Sequence, residues 1–273
     1  MQPTANLPEK AQQLRTMVLE VMRRAGAGHI ATSLSCADII TALYYGNVLR
    51  FDPKNPKKTD RDRFLMSKGH AGTILYCALA DLGFFPAENL WRTGHEDGTM
   101  GVHLQPDVPG VEATSGSLGN GLGLACGIAL AGLRNNMDYM TYVLLGDGEL
   151  NEGSIWEGFL FAAHHKLNKL VVIIDRNRMC CTGYTENILR LEPLDKKIES
   201  FGLAVRTMDG HNCEELAEEL RRLRSHSFPG PVCIIAETVK GKGLPSVANT
   251  TMCHFYSPKG EELEKAFAEL RGE

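Results

Sequence analysis

The chain has 273 residues, 43% of them apolar and 23% charged, with a formal net charge of -4. That is the balance of a soluble globular protein with a sizeable core, and the charge gives no general attraction to nucleic acid or to an anionic membrane. Lys57, Lys58, Arg61 and Arg63 are interleaved with acids and read as a solvated surface. Nothing basic and then apolar follows Met1-Gln2-Pro3, and no apolar run is long enough to cross a bilayer, so neither a signal peptide nor a membrane span is expected. Eight cysteines are scattered with no C-x-x-C pair, the pattern of reduced thiols in a cytoplasmic protein.

No repeat, linker or low-complexity run divides the chain, and residues 1–273 are expected to form a single domain. The first third reads as helical. Leu14, Val18, Val21 and Met22 recur at helical spacing over 9–25 and stop at Gly26-Ala27-Gly28. Ser35-Cys36-Ala37-Asp38 has the form of a capping box opening a helix through Tyr45, and a third helix covers Gly72 to Leu82. The pattern then changes. Thr141–Leu145, Leu170–Ile174, Val205–Met208 and Val232–Ala236 are short runs apolar on every face. Helices are expected between them: one over 152–166, and one opened by Asn212-Cys213-Glu214-Glu215 and running to about Arg224. An amphipathic helix with Leu263, Phe267 and Leu270 closes the sequence. Buried strands alternating with helices predict an α/β fold of three layers, a central parallel sheet covered by helices on both faces.

In such folds ligands sit beyond the carboxyl ends of the strands. Those positions hold Gly146-Asp147-Gly148, Asp175-Arg176-Asn177-Arg178-Met179, Asp209-Gly210-His211 and Glu237-Thr238-Val239-Lys240. Asp147 offers a hard anionic oxygen between glycines that let backbone approach a ligand. Asn177 lies one strand–helix–strand unit later and can return to the same edge. A carboxylate, an amide oxygen and a main-chain carbonyl, completed by diphosphate oxygens and water, make a natural Mg2+ site, with Ca2+ or Mn2+ as chemical substitutes. The glycine-rich stretch 116–127 is not a dinucleotide motif: Cys126 stands where the third glycine belongs, and no strand precedes it. Close helix packing explains its glycines better.

Gly146-Asp147-Gly148-Glu149-Leu150-Asn151-Glu152-Gly153, followed by Asp175-Arg176-Asn177, resembles the diphosphate-binding signature of thiamine-diphosphate enzymes. Gly28-His29-Ile30, Ser67-Lys68-Gly69-His70-Ala71 and Pro109-Gly110-Val111-Glu112 leading to Gly116-Ser117-Leu118-Gly119-Asn120-Gly121 stand in the order found in transketolases. The resemblance runs from about residue 10 to about 255. It implies a metal held by Asp147, Asn177 and the carbonyl of Met179, a diphosphate on Gly148 and Glu149, and an aminopyrimidine bordered by Gly116 and Leu118. His29, His70, His103 and His254 would line the site over the thiazolium and bind sugar hydroxyls, with His70 also touching the cofactor. Cys253-His254-Phe255 departs from the family's usual His-Gly, and Gly101-Val102-His103-Leu104 from its Gly-His-Pro, which leaves His95 as a competitor for the role of His103. Glu152 and Glu157 match glutamates that join paired active sites at a transketolase dimer interface; stabilisation of a helix N-terminus by its dipole is the plainer role. His164, His165 and His226 read as structural.

The implied reaction is transfer of a two-carbon ketol unit from a ketose phosphate to an aldose phosphate by way of a cofactor carbanion, in the pentose phosphate pathway by default. Family members generate that carbanion with a glutamate from a pyrimidine-binding domain, which is expected to be absent from this chain and carried by a partner. The expected unit is therefore a heterotetramer, two of these chains with two partner chains carrying the pyrimidine-binding and C-terminal domains. A 2-oxo acid dehydrogenase subunit shares Gly-Asp-Gly but not the Gly28-His29 and Ser67–His70 set. A deoxyxylulose-phosphate synthase-like chain and a non-catalytic binding module also compete with the split transketolase.

Overall fold

A computed structural model describes residues 6–26, 28–225 and 228–273; Ala27 and His226 lie outside them. Helix α1 (Leu7–Ala25) opens where the Asn6 side chain accepts the N–H of Glu9, and it closes at Gly26 in the left-handed region. Then follow α2 (Ile30–Ser35), α3 (Ala37–Tyr45), strand β1 (Arg63–Met66), α4 (Gly72–Asp81) and α5 (Gly121–Arg134). From β2 (Thr141–Gly146) the chain alternates through α6 (Gly153–His164), β3 (Leu170–Arg176), α7 (Thr185–Ile188), α8 (Leu194–Ser200), β4 (Ala204–Asp209), α9 (Cys213–Ser225) and β5 (Val232–Glu237). Helix α10 (Glu261–Arg271) ends it.

The five strands form one all-parallel sheet in the order β1-β2-β3-β5-β4. Side chains alternate across a strand, so each strand feeds two cores. Met66, Leu144, Ile173 and Ile234 lie in one register row and pack with α1, α3, α4, α9 and α10. Leu65, Val143, Val172 and Cys233 form the adjacent row and face α5, α6 and α8. Each fully buried Leu, Ile or Val contributes roughly 1.5–3 kcal/mol relative to exposure. The two cores fix the sheet between helical layers, as the apolar runs predict.

Three expectations need correction. Burial on both faces holds for β2, β3 and β5 but not for β4, whose residues are exposed or half-buried because it is the sheet edge. Ser35 does not cap α3: its hydroxyl donates to Asp175 Oδ2 at 2.5 Å, while Asp38 is held by Arg15 and His211. By contrast, Asn212 does cap α9, accepting the Glu215 N–H at 3.1 Å and donating back to that side chain at 3.2 Å. The glycine-rich stretch packs tightly at Gly116, Gly119 and Gly121, where an added Cβ would lie 3.0 Å from the His103 ring, 2.7 Å from Glu152 Cβ and 2.3 Å from Ser67 Oγ, but not along its whole length. Gly123 and Gly127 face outward with nothing near them, and the close approach of α5 to α6 comes from Gly158 against Leu122.

Candidate active site

A cleft of about 460 Å³ lies beyond the carboxyl ends of the strands. Segments that follow β1, β2, β3 and β5 bring Lys68, Asp147, Asn177 and Lys240 to it, and the start of α2 brings His29. Of the residues predicted from sequence, His29, His70, His103, His254, Gly116, Leu118, Asp147, Gly148, Glu149, Glu152, Asn177 and Met179 all line this one cleft. Glu157 does not; it stands exposed on α6.

At one end the side chain of Asp147, 1% exposed, accepts the N–H of Gly148 at 2.8 Å and that of Arg178 at 2.5 Å. Arg178 presents its N–H from a left-handed backbone, φ 64°. Burial, and then the neighbouring charge of Asp175, push the Asp147 carboxyl up to about 6. Asn177 donates from Nδ2 to Ser35 Oγ at 3.3 Å and accepts the Met179 N–H on Oδ1 at 3.1 Å, which settles the orientation of its amide. The donor set is therefore one carboxylate and two neutral oxygens, all hard, as an oxygen-preferring divalent cation shared with an anionic ligand requires. A buried carboxylate shifted toward protonation is also what a cation would relieve. Backbone openness completes the fit. Gly116 (φ 125°) carries no Cβ where one would meet the His103 ring at 3.0 Å, and one on Gly148 would meet Cys180 Sγ at the same distance.

Glu149 clasps the turn beneath. It is 1% exposed and accepts hydrogen bonds from Ser67 Oγ, the Gly119 N–H at 2.8 Å and the Gly146 N–H at 3.1 Å, so it ties the β1, β2 and α5 segments together. Glu152 caps the entry to α6 by position only, without a side-chain hydrogen bond.

At the other end four imidazoles meet. The His29 ring lies 5.8 Å from His70, 5.9 Å from His103 and 5.6 Å from His254, centroid to centroid, and His70 lies 5.6 Å from His254. Burial lowers the pKa of His29; burial and the Lys68 ammonium bring His70 down to about 2; burial and Lys240 bring His254 down to about 4. These three are neutral near pH 7, able to donate and accept toward hydroxyls. His29 Nδ1 is buried without a hydrogen-bond partner, an opening a bound ligand would fill. His254 accepts from Lys240 Nζ on Nδ1 at 3.2 Å, which leaves its proton on Nε2. His103 is anchored through its carbonyl, which accepts from Tyr76 Oη at 3.1 Å. His95 instead approaches the Ala25 carbonyl at 3.0 Å and lies outside the cleft.

Sequence reasoning missed the floor. Lys68 Nζ and Asp175 form an ion pair closed to solvent, and Asp175 also accepts from Ser35 and Thr238. Burial alone would lower Lys68 and raise Asp175; each overrides this for the other, holding lysine high and aspartate low. Arg176, wholly buried, reaches Asp147, Glu186 and Glu192. Lys240, 2% exposed, donates to the Cys180 carbonyl at 3.1 Å as well as to His254. Both lysines lie inside motifs singled out from the sequence. Their burial, which gives them significance, carries no sequence mark. Among the described residues no three or more His, Cys, Asp and Glu side chains gather as a metal site, and no helix is long and apolar enough to cross a membrane.

Residues 8–270 match the thiamine-diphosphate-binding domain of transketolase. The chain is 38% identical to an apulose-4-phosphate transketolase subunit of Phocaeicola vulgatus, over 96% of this chain and 92% of that one. It is 37% identical to a 6-deoxy-6-sulfo-D-fructose transketolase subunit of a Clostridium species, over 98% and 97% respectively. With human transketolase it shares 35% identity over 96% of its own length but only 41% of the relative's. The crystal structure of Campylobacter jejuni transketolase superposes with a TM-score of 0.88 at 31% identity, and the present chain spans 42% of it.

Proposed function

This chain belongs to the transketolase family through its thiamine-diphosphate-binding domain, and on that premise we propose that it is the diphosphate- and metal-binding subunit of a two-chain transketolase. The observation that carries the reading is the convergence, in one cleft, of a hard-oxygen set at one end and four clustered histidines at the other. Asp147, Asn177 and the Met179 carbonyl would hold Mg2+. Gly148 and the Lys240 ammonium would face the diphosphate, and Gly116 and Leu118 the aminopyrimidine. Thiamine diphosphate supplies the chemistry of breaking and making the ketose carbon–carbon bond. The protein binds and orients. Neutral His29, His70 and His254, with His103, hold sugar hydroxyls and move protons between them and the reacting oxygen.

Partner dependence is supported by relatives of similar length whose names call them subunits, and by the 42% share of a solved transketolase that the chain spans. Exposed Ile188, Met252 and Phe255 beside the cleft add an apolar surface for that partner. The partner would carry the pyrimidine-binding and C-terminal domains in a two-plus-two heterotetramer, with Glu152 and Glu157 at the contact between active sites. Eight free cysteines favour a reducing compartment, the cytoplasm. Pentose phosphates are the default substrates. The names of relatives add a branched and a sulfonated ketose, and both belong in the assay.

The test is ketol transfer with thiamine diphosphate and Mg2+. Xylulose 5-phosphate, apulose 4-phosphate and 6-deoxy-6-sulfofructose serve as donors, by the chain alone and with the product of its neighbouring gene. Transfer by the mixture only, from one of these donors, is the expected outcome. Full activity of the chain alone would refute the split assembly, and cofactor binding without transfer from any donor would refute the substrate class.

A further inference from the structure

Beyond Glu237 the sheet ends, and the backbone that carries Lys240 into the cleft must be held by other means. Thr238 N–H donates to the Arg176 carbonyl at 3.1 Å and Gly241 N–H to the Ala31 carbonyl at 2.9 Å. Between them stands the Val239 N–H, and a side chain takes it: His211 Nε2 accepts at 2.8 Å. The other ring nitrogen, Nδ1, lies 2.7 Å from Asp38 Oδ2, and the same carboxylate is paired with Arg15.

These contacts decide the protonation of the ring. A backbone N–H can only donate, so Nε2 must present a lone pair and the proton must sit on Nδ1, donating to Asp38. The Nε2–H tautomer and the imidazolium would each set two donors against one another at Val239. Besides Asp38 on α3 and Arg15 on α1, Asp209 faces the segment, accepting the His211 backbone N–H at 2.8 Å. One residue beyond Val239, the Lys240 ammonium has only neutral partners, the Cys180 carbonyl and His254 Nδ1. It is a nearly buried cation in a cleft that Lys68, Asp147, Glu149 and Glu152 also line.

We propose that His211 is a positioning residue: a neutral imidazole, oriented by Asp38 and Arg15, that fixes the Val239 amide and thereby sets where the Lys240 ammonium meets an anionic ligand. His211 itself touches no ligand. It acts through a chain of contacts from α1 and α3, on one side of the sheet, to the cleft. The inference rests on the reading of the cleft as a diphosphate site.

Two measurements on the full chain test it. Nitrogen-15 spectra of the imidazoles without ligand, near neutral pH, are expected to show His211 protonated on Nδ1 and unprotonated on Nε2; the opposite tautomer overturns the proposal. Calorimetric titration with thiamine diphosphate at saturating Mg2+ then compares His211→Leu, Lys240→Met and the double variant. His211→Leu is expected to weaken binding about tenfold, and the double variant to bind no more weakly than Lys240→Met alone. Multiplicative losses would make His211 an independent structural residue and overturn its part. Should His211→Leu fail to fold, His211→Gln, which reaches one of the two partners but not both, repeats the cycle. Failure of the unsubstituted chain to bind both alone and with the product of its neighbouring gene would overturn the cofactor reading itself, a result distinct from multiplicative losses in a chain that binds.

Discussion

On the floor of the cleft, Lys68, Asp175, Arg176 and Asp147 are each at most 1% exposed, and each meets an opposite charge. Flanking the cleft-lining His254, Met252 and Phe255 are 69% and 61% exposed, and Ile188, which lines the cleft, is 48% exposed; this rim presents apolar surface to solvent. Both regions break the ordinary distribution of residues, in opposite senses. The four buried charges of the floor are tolerated because each is answered within this chain, by segments at the strand ends that the sheet brings together. The rim stays largely exposed among the described residues. The charge network of the floor closes within this polypeptide, whereas the apolar rim stays open.

The floor offers the harshest way to break this comparison. Lys68→Met leaves the Asp175 carboxylate buried against hydroxyls alone, and it is expected to cost about 3–5 kcal/mol of unfolding free energy in urea titration. The rim is expected to behave oppositely. Phe255→Asp combined with Met252→Asp should change the stability of the isolated chain by no more than about 0.5 kcal/mol. It should weaken association with the partner about 10- to 100-fold, read by analytical ultracentrifugation. Equal losses of stability in both variants would erase the distinction.

Acid stability sharpens it further. His70 and His254 titrate in the folded chain at about 2 and about 4, below the ordinary histidine value of 6.5. The folded state thus takes up protons less readily than the unfolded one. The stability these residues contribute is present above pH 6.5 and is lost as pH falls from there through about 4 for His254 and about 2 for His70. Between pH 7 and pH 5 each accounts for about 1–2 kcal/mol, and the loss should flatten in His70→Leu and His254→Leu. The smallest effect lies on α5. Gly123→Ala, outward and unobstructed, should stabilise by about 0.5–1 kcal/mol, whereas Gly121→Ala, facing Ser67, should destabilise.

The parallel sheet and the position of its ligand edge were legible because β2, β3 and β5 are apolar on both faces and each ends at a polar turn. Asp147 and Asn177 stood out for that reason. Strand β1 escaped notice: Arg63-Phe64-Leu65-Met66 is four residues long and follows a charged stretch, and pairing with β2 completes it. Ser35 and Asp38 resemble a local cap in sequence because their actual partners, Asp175, Arg15 and His211, are 140, 23 and 173 residues away. Lys68 and Lys240 share that difficulty. A lysine reads as surface until the fold closes over it. Local periodicity reveals strands and turns, while long-range pairing decides which polar groups are buried and held.

The most direct measurement is a calorimetric titration of the chain with thiamine diphosphate, with Mg2+ and with the cation chelated, for the unsubstituted protein and Asp147→Ala. Saturable binding that requires Mg2+ and falls at least about 100-fold in the variant, with a melting transition that shows the variant still folded at the temperature of the titration, is the predicted result. Binding of equal strength without the cation, or in Asp147→Ala, would contradict the placement of the metal and diphosphate at the β2 and β3 turns.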